Sequence, residues 1–208
     1  MSGTLAMTLL VTALIVTEAK GWRTLRALTK LSASTLFCAV AWSLADVSTP
    51  YDRWVLVALA FSWLGDALLL SSRSKVFLGG LVAFLLGHLA YAAAFWSHGA
   101  SVAWLVGGLL AFGLVARAVW RWLGRHVESA MRGPVVAYIV VITTMVSLAL
   151  AATAAGGTPR ILAGAVAFFV SDLAVARDRF VAPGWTNRLW GLPLYYGAQL
   201  CLAHTIVD

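Results

Sequence analysis

The chain has 208 residues, of which 62% are hydrophobic and only 11% charged, with a formal net charge of +7. Its mean hydropathy is +0.89. That excludes a soluble domain of this length, whose interior could not hide so much apolar surface, and points to a polytopic helical membrane protein. The basic balance does not imply nucleic acid, because the Lys and Arg fall in short breaks between apolar runs.

Eight apolar spans follow in chain order, at roughly 4–19, 31–47, 54–71, 76–97, 101–119, 134–155, 159–176 and 188–207. Each is long enough for a bilayer core. The first has no basic segment before it and no cleavage site after it, so it reads as a retained span rather than a leader. Lys20, Arg23, Arg26 and Lys30 sit in the first break, and Arg73 and Lys75 in the third. Arg117, Arg121, Arg125 and Arg132 sit in the fifth, and Arg177, Arg179 and Arg188 in the seventh. Only Arg53 and Arg160 fall in even breaks. The positive-inside rule then places the odd breaks in the cytoplasm and both termini outside. The expected architecture is all-α, a bundle of about eight transmembrane helices forming a single integral-membrane domain over residues 1–208. Trp22, Trp54, Trp96, Trp104, Trp120, Trp122, Trp185 and Trp190 near the span ends suit an interfacial belt. Cys38 and Cys201 fall inside spans and read as packing residues.

Two acids interrupt the apolar runs. In the third span Asp66 comes seven residues before Arg73, and in the seventh Asp172 comes five residues before Arg177. Both spans run inward, so both carboxylates lie about 8–10 Å inside the cytoplasmic boundary at 1.5 Å of rise per residue. Buried ionisable residues in a membrane mark function far more often than packing. Their contexts are alike, AFSWLGD at 60–66 and AFFVSD at 167–172, each with a small residue before the acid. That similarity is compatible with a four-plus-four internal duplication.

Other polar groups reach the same level. Glu18 precedes the first break, either as a snorkelling end-of-helix charge or as a site group. Tyr195 and Tyr196 follow Arg188 by seven and eight residues, and Gln199 lies one turn beyond Tyr195. Pro193 just before them is expected to kink the eighth helix. Phe84, His88, Tyr91 and Phe95 form one stripe on the fourth span, with His88 near mid-membrane. No zinc motif, serine-hydrolase elbow or phosphate loop is present, so no metal or cofactor is expected and any chemistry rests on carboxylates.

Three segments, FSWLGDALLLSSRSKVFLGGLVAFLLGHLAY at 61–91, FFVSDLAVARDRF at 168–180 and LPLYYGAQLCLAH at 192–204, together resemble the YhhN family of membrane proteins, the lysoplasmalogenases. The resemblance covers most of the chain. It implies hydrolysis of the vinyl ether bond of a lysoplasmalogen, releasing a fatty aldehyde and glycerophosphocholine or glycerophosphoethanolamine. The family's two catalytic aspartates correspond to Asp66 and Asp172. Tyr195, Tyr196, Gln199, His88, Tyr91 and Glu18 would contact the substrate, and Arg73, Lys75, Arg177 or Arg188 would hold its phosphate. The expected partners are a lysophospholipid substrate and membrane lipids, in a multi-pass protein of the cell (plasma) membrane with the site toward the cytoplasm. A proton-coupled transporter using the paired acids as a relay is the rival reading. The sequence leaves the oligomeric state open.

Overall fold

A computed structural model describes residues 2–71 and 73–207. Eight α-helices follow one another: α1 (Ser2–Lys20), α2 (Arg23–Leu44), α3 (Pro50–Leu68), α4 (Ser74–His98), α5 (Val102–Leu123), α6 (Ser129–Ala154), α7 (Pro159–Ala176) and α8 (Trp185–Ala203). A π-helical turn, Arg177–Val181, continues α7, and a 3-10 turn, His204–Val207, closes the chain. No strand occurs among the described residues.

Local chemistry fixes the helix starts that matter most. The Thr49 side chain accepts the Asp52 N–H at 3.2 Å, Pro50 takes the first helical position of α3, and Asp52 faces the positive helix end. α7 also opens on a Thr-Pro pair, Thr158 and Pro159, there without a side-chain cap hydrogen bond. The two acid-bearing helices thus share a Thr-Pro entry.

Packing repeats along the chain as well. α3 packs along α4 and α7 along α8, α1 packs on α2 and α5 on α6, and α2 meets α8 as α6 meets α4. Both acid-bearing pairs use glycine for close approach. A Cβ on Gly65 would lie 2.6 Å from the Phe84 ring, and one on Gly191 would lie 2.6 Å from Ala174 Cβ. Small residues of this kind let helices approach in lipid, where apolar transfer supplies little drive.

Large apolar side chains such as Leu5, Leu9, Leu110, Leu114 and Val140 are exposed on the outer faces, and Trp22, Trp42, Trp96 and Trp104 are exposed near helix ends. Six helices are long and apolar enough to cross a membrane, namely α1, α2, α4, α5, α6 and α7 with its π-turn. The chain is a multi-pass membrane protein. α3 and α8 are more polar: α3 carries Asp52, Arg53 and Asp66 in 19 residues, and α8 carries Asn187, Arg188 and Gln199.

Several helix ends differ from the spans read off hydropathy. α2 begins at Arg23, eight residues before the apolar run, and α5 continues through Arg117 and Arg121 to Leu123. Their charged residues suggest breaks by hydropathy. They are helix ends, because the backbone keeps its hydrogen bonds there while long basic side chains reach a polar cavity or water. α8 is helical on both sides of Pro193.

Candidate active site

Asp66 is 2% exposed and is met by donors from two other helices. From α2, Lys30 Nζ stands 3.1 Å from Oδ1 and the Ser34 hydroxyl donates to Oδ2 at 2.6 Å. From α8, the Tyr195 hydroxyl donates to the same Oδ2 at 2.7 Å. Tyr196 stands one step back, its hydroxyl 3.3 Å from Ser34 Oγ and donating to the Lys30 carbonyl at 3.3 Å. The Asp66 carboxyl thus pairs with one ammonium and accepts from two hydroxyls, so both of its oxygens are partnered from neighbouring helices.

Asp172 has a different set. From α6 the Tyr138 hydroxyl donates to Oδ2 at 2.6 Å, and from α4 His88 Nε2 lies 3.0 Å from the same oxygen. His88 Nε2 is also 2.9 Å from Tyr138 O, so three polar atoms meet at one point. Acid, imidazole and phenol here can share and pass a proton. His88 itself is fully buried, and its Nδ1 has no hydrogen-bond partner. The two clusters are separated by aromatic rings: Phe168 lies 4.4 Å from His88 and 5.4 Å from Tyr195, and Phe84 lies 5.8 Å from Tyr195.

Both acids nonetheless line one cavity of about 550 Å³. Its volume is that of a small-molecule site. One wall is apolar, from Leu81 of α4, Val119 of α5, and Ile139 and Ile142 of α6. The other end is charged, with Glu18, Arg23, Arg26, Asp178, Arg179 and Arg188 in its lining. There Arg188 donates to Glu18 Oε2 at 2.6 Å and to Asp178 Oδ2 at 3.3 Å, and Arg26 stands 3.8 Å from the same Glu18 oxygen. The π-turn is pinned on this side. Asp178 Oδ1 accepts from Gly184 N–H and Asn187 Nδ2, Arg177 donates to Asn187 Oδ1, and the Arg179 guanidinium lies 4.4 Å over the Phe77 ring.

Of the residues singled out in the sequence, Asp66, Asp172, Tyr195 and Glu18 line the cavity, and His88 touches Asp172 directly. Tyr91 and Gln199 pair with each other, Tyr91 donating to Gln199 Oε1 at 2.6 Å, and neither lines the cavity. Nor do Arg73, Lys75 and Arg177, whereas Arg23, Arg26 and Arg188 do. Sequence reasoning misses Lys30, Ser34 and Tyr138. Lys30 and Ser34 carry a usable signal, being one helical turn apart, but only once α2 is known to include them. Tyr138 carries none, since which helix faces Asp172 is a tertiary fact. Among the described residues no group of three or more His, Cys, Asp or Glu is placed to hold a metal ion.

Comparison with known proteins adds an independent line. The YhhN family model matches residues 25–206. Lysoplasmalogenase TMEM86A of Bos taurus is 30% identical over 189 residues, covering 83% of this chain and 75% of that protein. Lysoplasmalogenase TMEM86B of Rattus norvegicus is 33% identical over 168 residues, covering 80% and 67%. Lysoplasmalogenase TMEM86A of Homo sapiens is 28% identical over 188 residues, covering 83% and 75%. No solved structure matches the chain. A family match over nearly the whole length, with relatives aligned across most of both chains, means that this chain belongs to the YhhN family.

Proposed function

We propose that this chain is a membrane hydrolase of lysoplasmalogens, cleaving the vinyl ether to a fatty aldehyde and glycerophosphocholine or glycerophosphoethanolamine. The observation that carries the reading is the pair Asp66 and Asp172 in the wall of one cavity, with an apolar side for a chain and a charged end for a head group. The named relatives lend the substrate class.

Vinyl ether hydrolysis begins with a proton on the β-carbon, which leaves an oxocarbenium ion. Water adds to that ion, and the hemiacetal collapses to aldehyde and alcohol, returning the proton. The cluster of Asp172, His88 and Tyr138 suits the proton transfer, because a carboxyl, an imidazole and a phenol meet within 3.0 Å. Asp66, met by Lys30, Ser34 and Tyr195, suits stabilisation of the cation and orientation of water, as in the paired-carboxylate glycosidases. The alkenyl chain lies along the α4–α6 wall. Tyr196, Tyr91 and Gln199 act from behind the wall by holding its shape.

In this reading all eight helices span, as one domain over 1–208, with both termini outside and the site toward the cytoplasm of the plasma membrane. α3 and α8 have 19 residues each, about 28 Å of helix, close to the thickness of a hydrocarbon core. The test is aldehyde release from a lysoplasmalogen by the purified protein in detergent. Wild type is expected to turn over, and Asp66→Asn and Asp172→Asn to lose about 100-fold or more at normal expression. Full activity in either variant would sink the paired-acid scheme. Proton flux seen only in sealed vesicles, without aldehyde, would make the chain a transporter instead.

A further inference from the structure

Arg23, Arg26 and Lys30 are spaced i, i+3, i+7 on α2, and all three line the cavity. They form one basic stripe running from its charged end to Asp66. The inner member, Lys30, is committed to Asp66. Arg188, at the same charged end, is committed to Glu18 and Asp178. Arg26 is less engaged. One of its terminal nitrogens donates to the Leu70 carbonyl at 3.1 Å, and the other stands 3.8 Å from a Glu18 oxygen that is already 2.6 Å from Arg188. Its Nε is buried and has no hydrogen-bond partner. A guanidinium offers five donors, and a buried donor left unused is costly. This wall therefore presents a cation short of acceptor oxygens.

The spacing says which anion fits. Arg26 lies four residues from Lys30, about 6 Å of helix rise toward the charged end. In a lysophospholipid five bonds separate the ether oxygen of the chain from the phosphorus, about 6 Å when extended at ordinary single-bond lengths. With the ether bond at Asp66, beside Lys30, the phosphorus falls at the level of Arg26.

We propose that Arg26 is the phosphate-binding residue of this cavity, taking the phosphodiester of a glycerophospholipid head group on its terminal nitrogens. The proposal rests on the hydrolase reading for where the ether bond lies. It assigns to α2 the phosphate-holding role expected of Arg73, Lys75, Arg177 or Arg188. Arg is the residue of choice for such a site, because its planar fork matches two phosphate oxygens at once.

The test uses the full-length protein in detergent and two ligands that cannot be hydrolysed at a vinyl ether. One is a 1-O-alkyl lysophosphatidylethanolamine, and the other a 1-O-alkylglycerol with the same chain and no phosphate. The readout is the ratio of their dissociation constants. Wild type is expected to favour the phospholipid, and Arg26→Gln to lower that ratio about tenfold, with Arg26→Lys between the two. An unchanged ratio in R26Q, or an equal loss for both ligands, overturns the assignment. Should R26Q fail to fold, a wild-type ratio in R26K overturns it equally. Inorganic phosphate serves as competitor. If it displaces the phospholipid at comparable concentration, the site is one for the free anion and the head-group assignment falls. Aldehyde release is measured in parallel, so the two readings fail separately. A ratio that depends on Arg26 without aldehyde keeps the phosphate site and ends the hydrolase reading, whereas aldehyde with an unchanged ratio does the reverse.

Discussion

Lys30 holds its ammonium 3.1 Å from Oδ1 of Asp66, joining α2 to α3 in the interior of the bundle. The Lys30 side chain is 13% exposed and that of Asp66 2%, so the pair is largely withdrawn from bulk water. Removing one partner strands the other. Lys30→Met is expected to lower stability by about 3–5 kcal/mol, whereas the double variant Lys30→Met/Asp66→Leu recovers most of that loss and has no activity. Denaturant unfolding in detergent reads both. A K30M protein as stable as wild type would show that water reaches the pair.

Tyr138 touches Asp172 through its hydroxyl alone, at 2.6 Å. Tyr138→Phe keeps the ring and deletes that donor. Leaving an acceptor unpaired inside the bundle costs about 1–3 kcal/mol, so aldehyde release should fall about 10–100-fold. Wild-type turnover in Y138F would remove Tyr138 from the proton-handling cluster.

The neighbouring tyrosines of α8 separate by the same logic. Tyr195 reaches Asp66 at 2.7 Å, whereas Tyr196 reaches only Ser34 and the Lys30 carbonyl, both at 3.3 Å. Tyr195→Phe is expected to cost about tenfold in turnover or more, and Tyr196→Phe clearly less. The reverse order would place Tyr196 in the cavity in the working state.

Gly65 lets the Phe84 ring lie against α3, beside Asp66. A Cβ there would meet the ring at 2.6 Å. Gly65→Ala should therefore destabilise by about 1–3 kcal/mol through overpacking, and Phe84→Leu in the same chain should return much of it. Additive losses in the double variant would mean that the alanine clashes elsewhere.

Spacing along a helix is the part of the site that sequence can address. A helix converts residue spacing into distance along its axis, so the separations from Arg73 and Arg177 lead one to expect Asp66 and Asp172 at one level, and the two acids line one cavity. Lateral neighbours have no such conversion. That α6 brings Tyr138 to Asp172 and α4 brings His88 follows from packing, which Gly and Ala permit but do not announce. The beginning of α2 is obscured for a different reason. Arg23, Arg26 and Lys30 look like a loop by charge, yet a helix end bordering a polar cavity can carry them, and the missed residues Lys30 and Ser34 lie on that helix. The spans read from hydropathy otherwise fall within or beside the eight observed helices.

Each acid is served from across the molecule. Asp66, in the first four helices, needs Tyr195 of α8, and Asp172, in the last four, needs His88 of α4. The bracing is reciprocal, like two hands each gripping the other wrist. A chain cut between α4 and α5 would yield two fragments, each with one acid and the other acid's partner, and neither with a whole cluster. Such fragments should be inert apart and should regain the site only when they reassemble, so that complementation in a membrane would report docking of the two halves.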